Sequence, residues 1–207
     1  MLQGDRASTA TSIVNRPPSV RSLPPDTALR GRRTSLRRLA PSDAGALVEL
    51  VTQNREFHAS WITTPETEPE CKNYLVQCQS DSDACALGVF HTSDGCLVGV
   101  FSLAEIVQGE SARLGYYAAR KCAGQGLMLE GIALALEYSF NVLQLKQLTA
   151  AIQPENIDSI RLVTRAGFRH EGSTTSIQLR GLWLCHTTWI ILRDTWRASL
   201  PTSTAGI

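Results

Sequence analysis

The chain has 207 residues, 43% hydrophobic, 19% charged and 6% aromatic, proportions of one ordinary globular domain that exclude a collagen-like, coiled-coil or wholly disordered protein. No run approaches the ~18 to 20 consecutive apolar residues of a membrane-spanning helix, and the amino end lacks a compact apolar stretch behind a basic start, so neither a membrane partner nor secretion is expected. The net charge of +1 divides into +4 over residues 1–33 and −3 over 34–207, and a mildly acidic domain offers nucleic acid no basic face.

Residues 1–33 hold Pro17, Pro18, Pro24 and Pro25 among Ser, Thr and Arg, with no apolar period to cover a core. This leader reads as disordered, and its composition also suits a transit peptide or a misplaced start. The domain is expected over 34–198, with 199–207 as a flexible tail. Thr34 to Leu39 reads as a strand, and Pro41-Ser42-Asp43 as a helix start ahead of Ala46, Leu47, Leu50 and Val51. A second helix is expected over Glu68 to Gln79. Ala84 to His91 and Cys96 to Ile106 flank Thr92-Ser93-Asp94-Gly95, whose Asp-Gly signals a hairpin, and Ala112 to Ala118 adds a third strand. Next come Lys121-Cys122-Ala123-Gly124-Gln125-Gly126 and a long helix with Ile132, Leu136 and Phe140 on one face. Gln147 to Ile152 reads as a strand, Ile157 to Arg165 as a helix ended by Gly167, and Phe168 to Arg180 with Trp183 to Arg193 as a closing strand pair. The order β-α-α-β-β-β-α-β-α-β-β predicts an α/β (α+β) layout, a largely antiparallel sheet covered by helices.

Six cysteines, at 71, 78, 85, 96, 122 and 185, lie seven or more residues apart, and the four histidines show no ligand spacing. A reducing cytoplasmic compartment and no metal site are therefore expected. The strand, Gly-x-Gly loop and amphipathic helix form a candidate anion cradle, because glycine lets the backbone approach a ligand and the helix start presents unpaired N–H groups. A plain tight turn would have the same sequence.

Leu114-Gly115-Tyr116-Tyr117, the 121–126 loop, Leu127-Met128-x-Glu130, Pro154-Glu155-Asn156-x-x-Ser159 and Ala166-Gly167-Phe168-x-x-Glu171-Gly172 occur in the order and spacing of the GNAT acetyltransferase superfamily. The match resembles its RimJ/RimL branch, which acetylates ribosomal-protein N-termini, and Asn54-Arg55-Glu56-Phe57-His58 with Trp61 is similar to the same branch. The resemblance implies a GNAT-like mixed sheet with helices on both faces and acetyl-CoA as donor. It places the pyrophosphate on the amides of Lys121, Cys122, Ala123, Gly124, Gln125, Gly126 and Leu127, and the pantetheine along a splayed strand at Tyr116, Tyr117 and Ala118. The acceptor it implies is a protein N-terminal α-amine. A small amine such as a polyamine, amino acid or antibiotic is the alternative acceptor, and a non-catalytic acyl-CoA-binding module the alternative function.

Gly115 offers a site for a bulge that opens the strand edge, or simply relieves crowding. A thioester is already activated, so catalysis reduces to aligning a neutral amine, stabilising the oxyanion with a strand amide near Tyr116 or Tyr117, and assisting the thiolate. Ser159 is the candidate for the thiolate and Asn156 for the pantetheine or a water, although Asn156 as N-cap with Ser159 at N3 is an ordinary capping pair. For the base, Glu171 follows Gly167-Phe168 and faces either the cleft or solvent. Glu130 suits the helix dipole, and His186 lies in an alternating strand. Trp61 is the candidate wall of the acceptor channel. Cys122 beside Arg120 and Lys121 is either an activated thiol or an inert one. Lys121 stands where the family usually has Arg or Gln, and Cys185 in Gly181-x-Trp183-x-Cys185 where it usually has Asp.

Overall fold

A computed structural model describes residues 28–199, and in it neighbouring positions of the central strands face opposite cores. In β3 (Cys85–His91) and β4 (Leu97–Val107), Ala86 and Val100 face one core, while Cys85, Leu87, Phe101 and Leu103 face the other. This period of two lets one sheet carry helices on both sides. The first core is closed by α1 (Ala44–Gln53), through Leu47 and Leu50, and by a helix over Glu68–Ser80, through Cys71, Leu75 and Cys78. The second is closed by a helix over Leu127–Glu137 and by Val163 and Trp196 from later helices.

Named in chain order, the strands are β1 (Leu29–Arg30), β2 (Thr34–Arg38), β3, β4, β5 (Ser111–Ala118), β6 (Gln147–Ile152), β7 (Arg169–Leu179) and β8 (Leu182–Leu192). They form one sheet in the order β1-β2-β3-β4-β5-β6-β8-β7, antiparallel at every pair except β5 with β6. The helices are α1, α2 (Arg55–His58), α3 (Glu68–Ser80), α4 (Leu127–Glu137), α5 (Ile157–Arg165) and α6 (Arg193–Ser199). The expected mixed sheet with helices on both faces is the fold. No helix among the described residues is long and apolar enough to cross a membrane.

The helix expected over Glu68 to Gln79 is α3, and its start carries a cap that had not been assigned from sequence. Thr67 and Glu70 form a reciprocal cap at the start of α3, the Thr67 Oγ1 accepting from the Glu70 amide at 3.4 Å and a Glu70 carboxylate oxygen accepting from the Thr67 amide at 3.0 Å. Ile132, Leu136 and Phe140 are all buried, although α4 gives way to a π turn over Tyr138–Val142 before Phe140 is reached.

Three elements depart from expectation. β1 lies within the segment read as the leader, most of which falls outside the described residues. It pairs Leu29 with Leu36 and Arg30 with Ser35, a contact that two residues cannot advertise by periodicity. α2 is a single turn without caps, and α6 takes over at Arg193, where a strand was expected. Gly115 sits in regular register opposite Ser102, and a Cβ there would stand 2.8 Å from the Ser102 hydroxyl. The bulge of this strand pair lies instead between Ala104 and Val107, where Glu105 has φ 54°.

The feature that makes room for a ligand is the junction of β5 and β6. They pair only through Ser111–Arg113 and Gln147–Thr149; β5 then continues beside β4 and β6 beside β8. The sheet therefore splits, and the β6-facing edge of Leu114–Ala118 is left without a strand partner.

Candidate active site

Alternation along β5 decides what that open edge presents. The Ala119 amide donates to the Val98 carbonyl at 2.8 Å, so Tyr117 and Gly115 direct their backbone groups to β4, and Tyr116 and Ala118 direct theirs into the split. One of these groups is already used: the Ala118 carbonyl lies 2.9 Å from His58 Nε2. The Tyr116 N–H and C=O and the Ala118 N–H remain for a ligand.

The loop after β5 supplies a row of donors. Its last engaged amide is Ala123, which donates to the Arg120 carbonyl at 3.0 Å, and the next is Glu130, which donates to the Gly126 carbonyl at 3.1 Å. The amides of residues 124–129 have no partner among the described residues. Gly124 has φ 73° and Gly126, the N-cap of α4, has φ 76°, left-handed conformations that favour glycine. A Cβ on Gly124 would meet nothing within 4 Å. The turn is not buried; at Gly126 a Cβ would stand 3.3 Å from Arg33 Nη2, and the unpaired N–H groups suit an anion.

Side chains behind it fix this loop. The Arg120 amide donates to Asn54 Oδ1 at 2.7 Å, and Asn54 Nδ2 donates to the Leu50 carbonyl at 2.6 Å, tying the loop to the end of α1. On the other side, Glu130 Oε1 accepts from the amides of Arg33 and Thr34 at 2.6 and 2.9 Å and from the Thr34 hydroxyl at 3.2 Å. Burial works to raise the Glu130 pKa, but these hydrogen bonds together outweigh it and hold the carboxyl below its ordinary value. Glu130 is thus the clamp between α4 and the β1–β2 turn.

A cleft of about 580 Å³ joins these parts. Its walls include Phe57, His58 and Trp61 from α2 and the turn after it, Tyr116 to Ala118 from β5, Cys122 to Gly124 and Gly126 from the loop, and Asn156, Ser159, Arg161 and Arg165 at α5. A second cavity of about 90 Å³ opens in the split itself, between Gly115, Tyr116, Ala150 to Gln153 and His186, and shares Trp61, Asn156 and Ser159 with the cleft. Gln153 closes its rim by donating to the Ser60 carbonyl at 3.1 Å.

The expected site residues therefore divide. Trp61, Tyr116, Tyr117, Ala118, Cys122, Ala123, Gly124, Gly126, Asn156 and Ser159 line the cleft. Lys121, Gln125 and Leu127 belong to the loop without lining it, and Gln125 Nε2 donates back to the Lys121 carbonyl at 2.7 Å. Asn156 caps α5 by accepting from the Ser159 amide at 3.1 Å, and Tyr116 donates to the Ser159 carbonyl at 3.2 Å. The Ser159 hydroxyl has no partner among the described residues, and Ser159 lines both spaces. Glu171 is exposed on β7, accepts from the Ser173 hydroxyl at 3.1 Å and lines neither space. At Cys122 burial raises the thiol pKa by more than the Lys121 charge lowers it, which favours the inert thiol of the two alternatives.

His58 and Asn54 had no role assigned from sequence. His58 is 5% exposed, stacks edge-on against Tyr117 and leaves Nδ1 buried without a partner. Burial lowers its pKa, the Ala118 carbonyl opposing, so the ring is neutral at pH 7. Arg161 and Arg165 were legible in principle, because i, i+4 spacing puts both on one face of α5.

The family model for the acetyltransferase (GNAT) domain matches residues 33–169. The chain belongs to the GNAT acetyltransferase family. Among curated relatives, "Probable N-acetyltransferase YjcK" of Bacillus subtilis (strain 168) is 29% identical over 175 residues, 79% of this chain and 96% of its own length. The [ribosomal protein uS5]-alanine N-acetyltransferase of Escherichia coli (strain K12) is 25% identical over 187 residues, 85% of this chain and 96% of its own length. Among solved structures, Mycobacterium smegmatis RimJ in complex with CoA-disulfide superposes with a TM-score of 0.75 at 21% identity, covering 83% of this chain and 89% of that one, a likeness of fold. As a GNAT acetyltransferase the chain draws on a CoA-based acetyl donor, and the unpaired amides of 124–129 with the open β5 edge fit one. No group of His, Cys, Asp and Glu suited to a metal occurs among the described residues.

Proposed function

We propose that the chain transfers the acetyl group of acetyl-CoA to the α-amine of a protein amino terminus. The observation that carries this reading is the uncharged lining of the cavity in the β5–β6 split: Trp61, Ile62, Leu114, Tyr116, Ile152, Gln153, Asn156, Ser159 and His186 contribute no carboxylate. A polyamine carries several ammonium groups that need carboxylate partners when desolvated, and the adjoining cleft offers only Glu155 and Asp158, both exposed, the latter paired with Arg161. An α-amine has a pKa near 8, so a useful fraction is already neutral at pH 7 and enters such a pocket without a counter-ion. The name of the Escherichia coli relative, a ribosomal-protein alanine acetyltransferase, points the same way. That acceptor is made at ribosomes, so the reading includes a cytoplasmic setting.

In this reading the diphosphate lies on the amides from Gly124 onward and the pantetheine pairs with the free edge of β5 at Tyr116 and Ala118. The amine nitrogen attacks the thioester carbonyl, the Tyr116 amide takes up the developing negative charge, and the C–S bond breaks as the C–N bond forms. Ser159 donates its hydroxyl hydrogen bond to the departing sulfur, while Asn156 holds the helix turn that carries it. Glu171 has no part in it, since its carboxylate lies outside both spaces.

Mass spectrometry of products after incubation with acetyl-CoA and a panel of N-terminal peptides, polyamines and amino acids tests the assignment. Acetylated peptide α-amines are expected; acetylation of polyamines alone would overturn the acceptor class. Ser159→Ala is expected to lower kcat by about 10²-fold, the lower end for a positioned proton donor, with acetyl-CoA affinity unchanged. A variant at full rate would leave Ser159 only its place in the capped turn.

A further inference from the structure

Proton removal from the amine needs an acceptor inside the cavity, and Asn156, Ser159, Gln153 and Tyr116 are poor bases. His186 is different. It projects from β8 into the cavity wall with 6% exposure, and its Nδ1 lies 2.9 Å from the Leu184 carbonyl. A carbonyl only accepts, so the neutral ring carries its proton on Nδ1 and keeps its lone pair on Nε2. Nε2 has no partner among the described residues. The strand is pinned directly beside it: the Thr187 hydroxyl donates to the Ile152 carbonyl at 3.0 Å and accepts from Trp189 Nε1 at 3.1 Å.

We propose that His186 is the general base of the transfer, its Nε2 taking the proton that the amine nitrogen loses as the C–N bond forms. The proposal rests on the acetyl-transfer reading above and names the residue that completes it. The proton leaves the nitrogen for Nε2, and the imidazolium returns it to solvent once the acetylated product has left. His58, the other histidine of the site, does not compete: its Nε2 is held by the Ala118 carbonyl and its Nδ1 is sealed off. Around His186, β6 brings no ionisable side chain, β7 sets Thr175 opposite it, the α5 turn offers Asn156 and Ser159, and β5 brings Tyr116, whose phenol burial pushes up to about 12.

Two measurements test the assignment. With an N-terminal peptide as acceptor, log(kcat/KM) on the acid side is expected to rise with a slope of two, one proton for the amine and one for His186. His186→Gln is expected to lower kcat about 10²-fold, reduce the slope to one and leave acetyl-CoA affinity unchanged, with His186→Asn as the second variant should the first fold poorly. A loss below threefold with the slope still at two overturns the proposal. Long-range 1H–15N spectra of histidine-labelled protein give the second readout and require no turnover: the Nδ1–H tautomer is expected at pH 8, and an Nε2–H tautomer overturns the assignment. If only amines other than peptide termini react, the acceptor reading fails while the slope, measured with the reactive amine, still judges His186.

Discussion

The two ends of the cleft are made of different material. At the end proposed for the donor the free groups are main-chain amides, at residues 124–129 and on the open edge of β5, and side chains such as Asn54 and Glu130 work from behind to hold that backbone still. At the end proposed for the acceptor the lining groups are side chains, Trp61, Ser159 and His186 among them, supported by a backbone that is already paired in β6 and β8. A site built from amides depends on conformation and tolerates exchange of most side chains; one built from side chains changes its substrate with a single substitution.

The comparison breaks first at Gly124. Gly124→Asn keeps the fold, because Asn tolerates a positive φ and its Cβ would meet nothing within 4 Å. The new side chain extends into open space beside the unpaired amides, and if it displaces the diphosphate from two of them, two charge-assisted hydrogen bonds lost at ~1.5 kcal/mol each predict about a hundredfold weaker acetyl-CoA binding. Titration calorimetry reads this directly, and unchanged affinity in a folded variant would remove the amide nest from the donor site.

Next in size is the clamp behind the loop. Glu130→Ala strands two amides and a hydroxyl, and a loss of about 1–2 kcal/mol is expected in urea unfolding, at the low end because part of the site reaches water. The carboxyl has a folded-state pKa below its ordinary 4.5, so its contribution is present above that value and lost as pH falls through the folded one. The difference between native protein and Glu130→Gln should accordingly shrink on acidification below pH 4.5; a constant difference would mean the charge is not what binds the turn.

The smallest effect is expected at His58. Its pKa lies below the ordinary 6.5 because burial disfavours the cation. The unfolded chain therefore binds the proton first, and stability present above 6.5 declines as pH falls through the folded value. Thermal melts between pH 7.5 and 5 should show a shallower decline in His58→Gln than in the native protein, and parallel curves would place the acid sensitivity elsewhere.

Much of this architecture is legible along the chain because its signals are local. Asp94-Gly95 turns a hairpin, Gly124 and Gly126 mark the cradle, and Asn156 caps the helix it precedes. What could not be read are contacts between distant segments: β1 against β2, Glu130 reaching back to Arg33, Asn54 holding Arg120, and His58 meeting Ala118, each joining residues whose own neighbourhoods give no hint of a partner. Glu171 illustrates the converse, since strand alternation allowed two faces and only sheet order decided that its carboxylate meets water.

By itself the sequence determined most of the helices and strands, where the glycines of the loop before α4 fall, and the family that its motifs resemble, since turn chemistry and apolar period act over a few residues. Tertiary structure alone decided how the sheet splits at β5 and β6 and which nitrogen of His186 is free. Both follow from register between strands far apart in the chain, where a shift of one residue would turn every side chain to the opposite face.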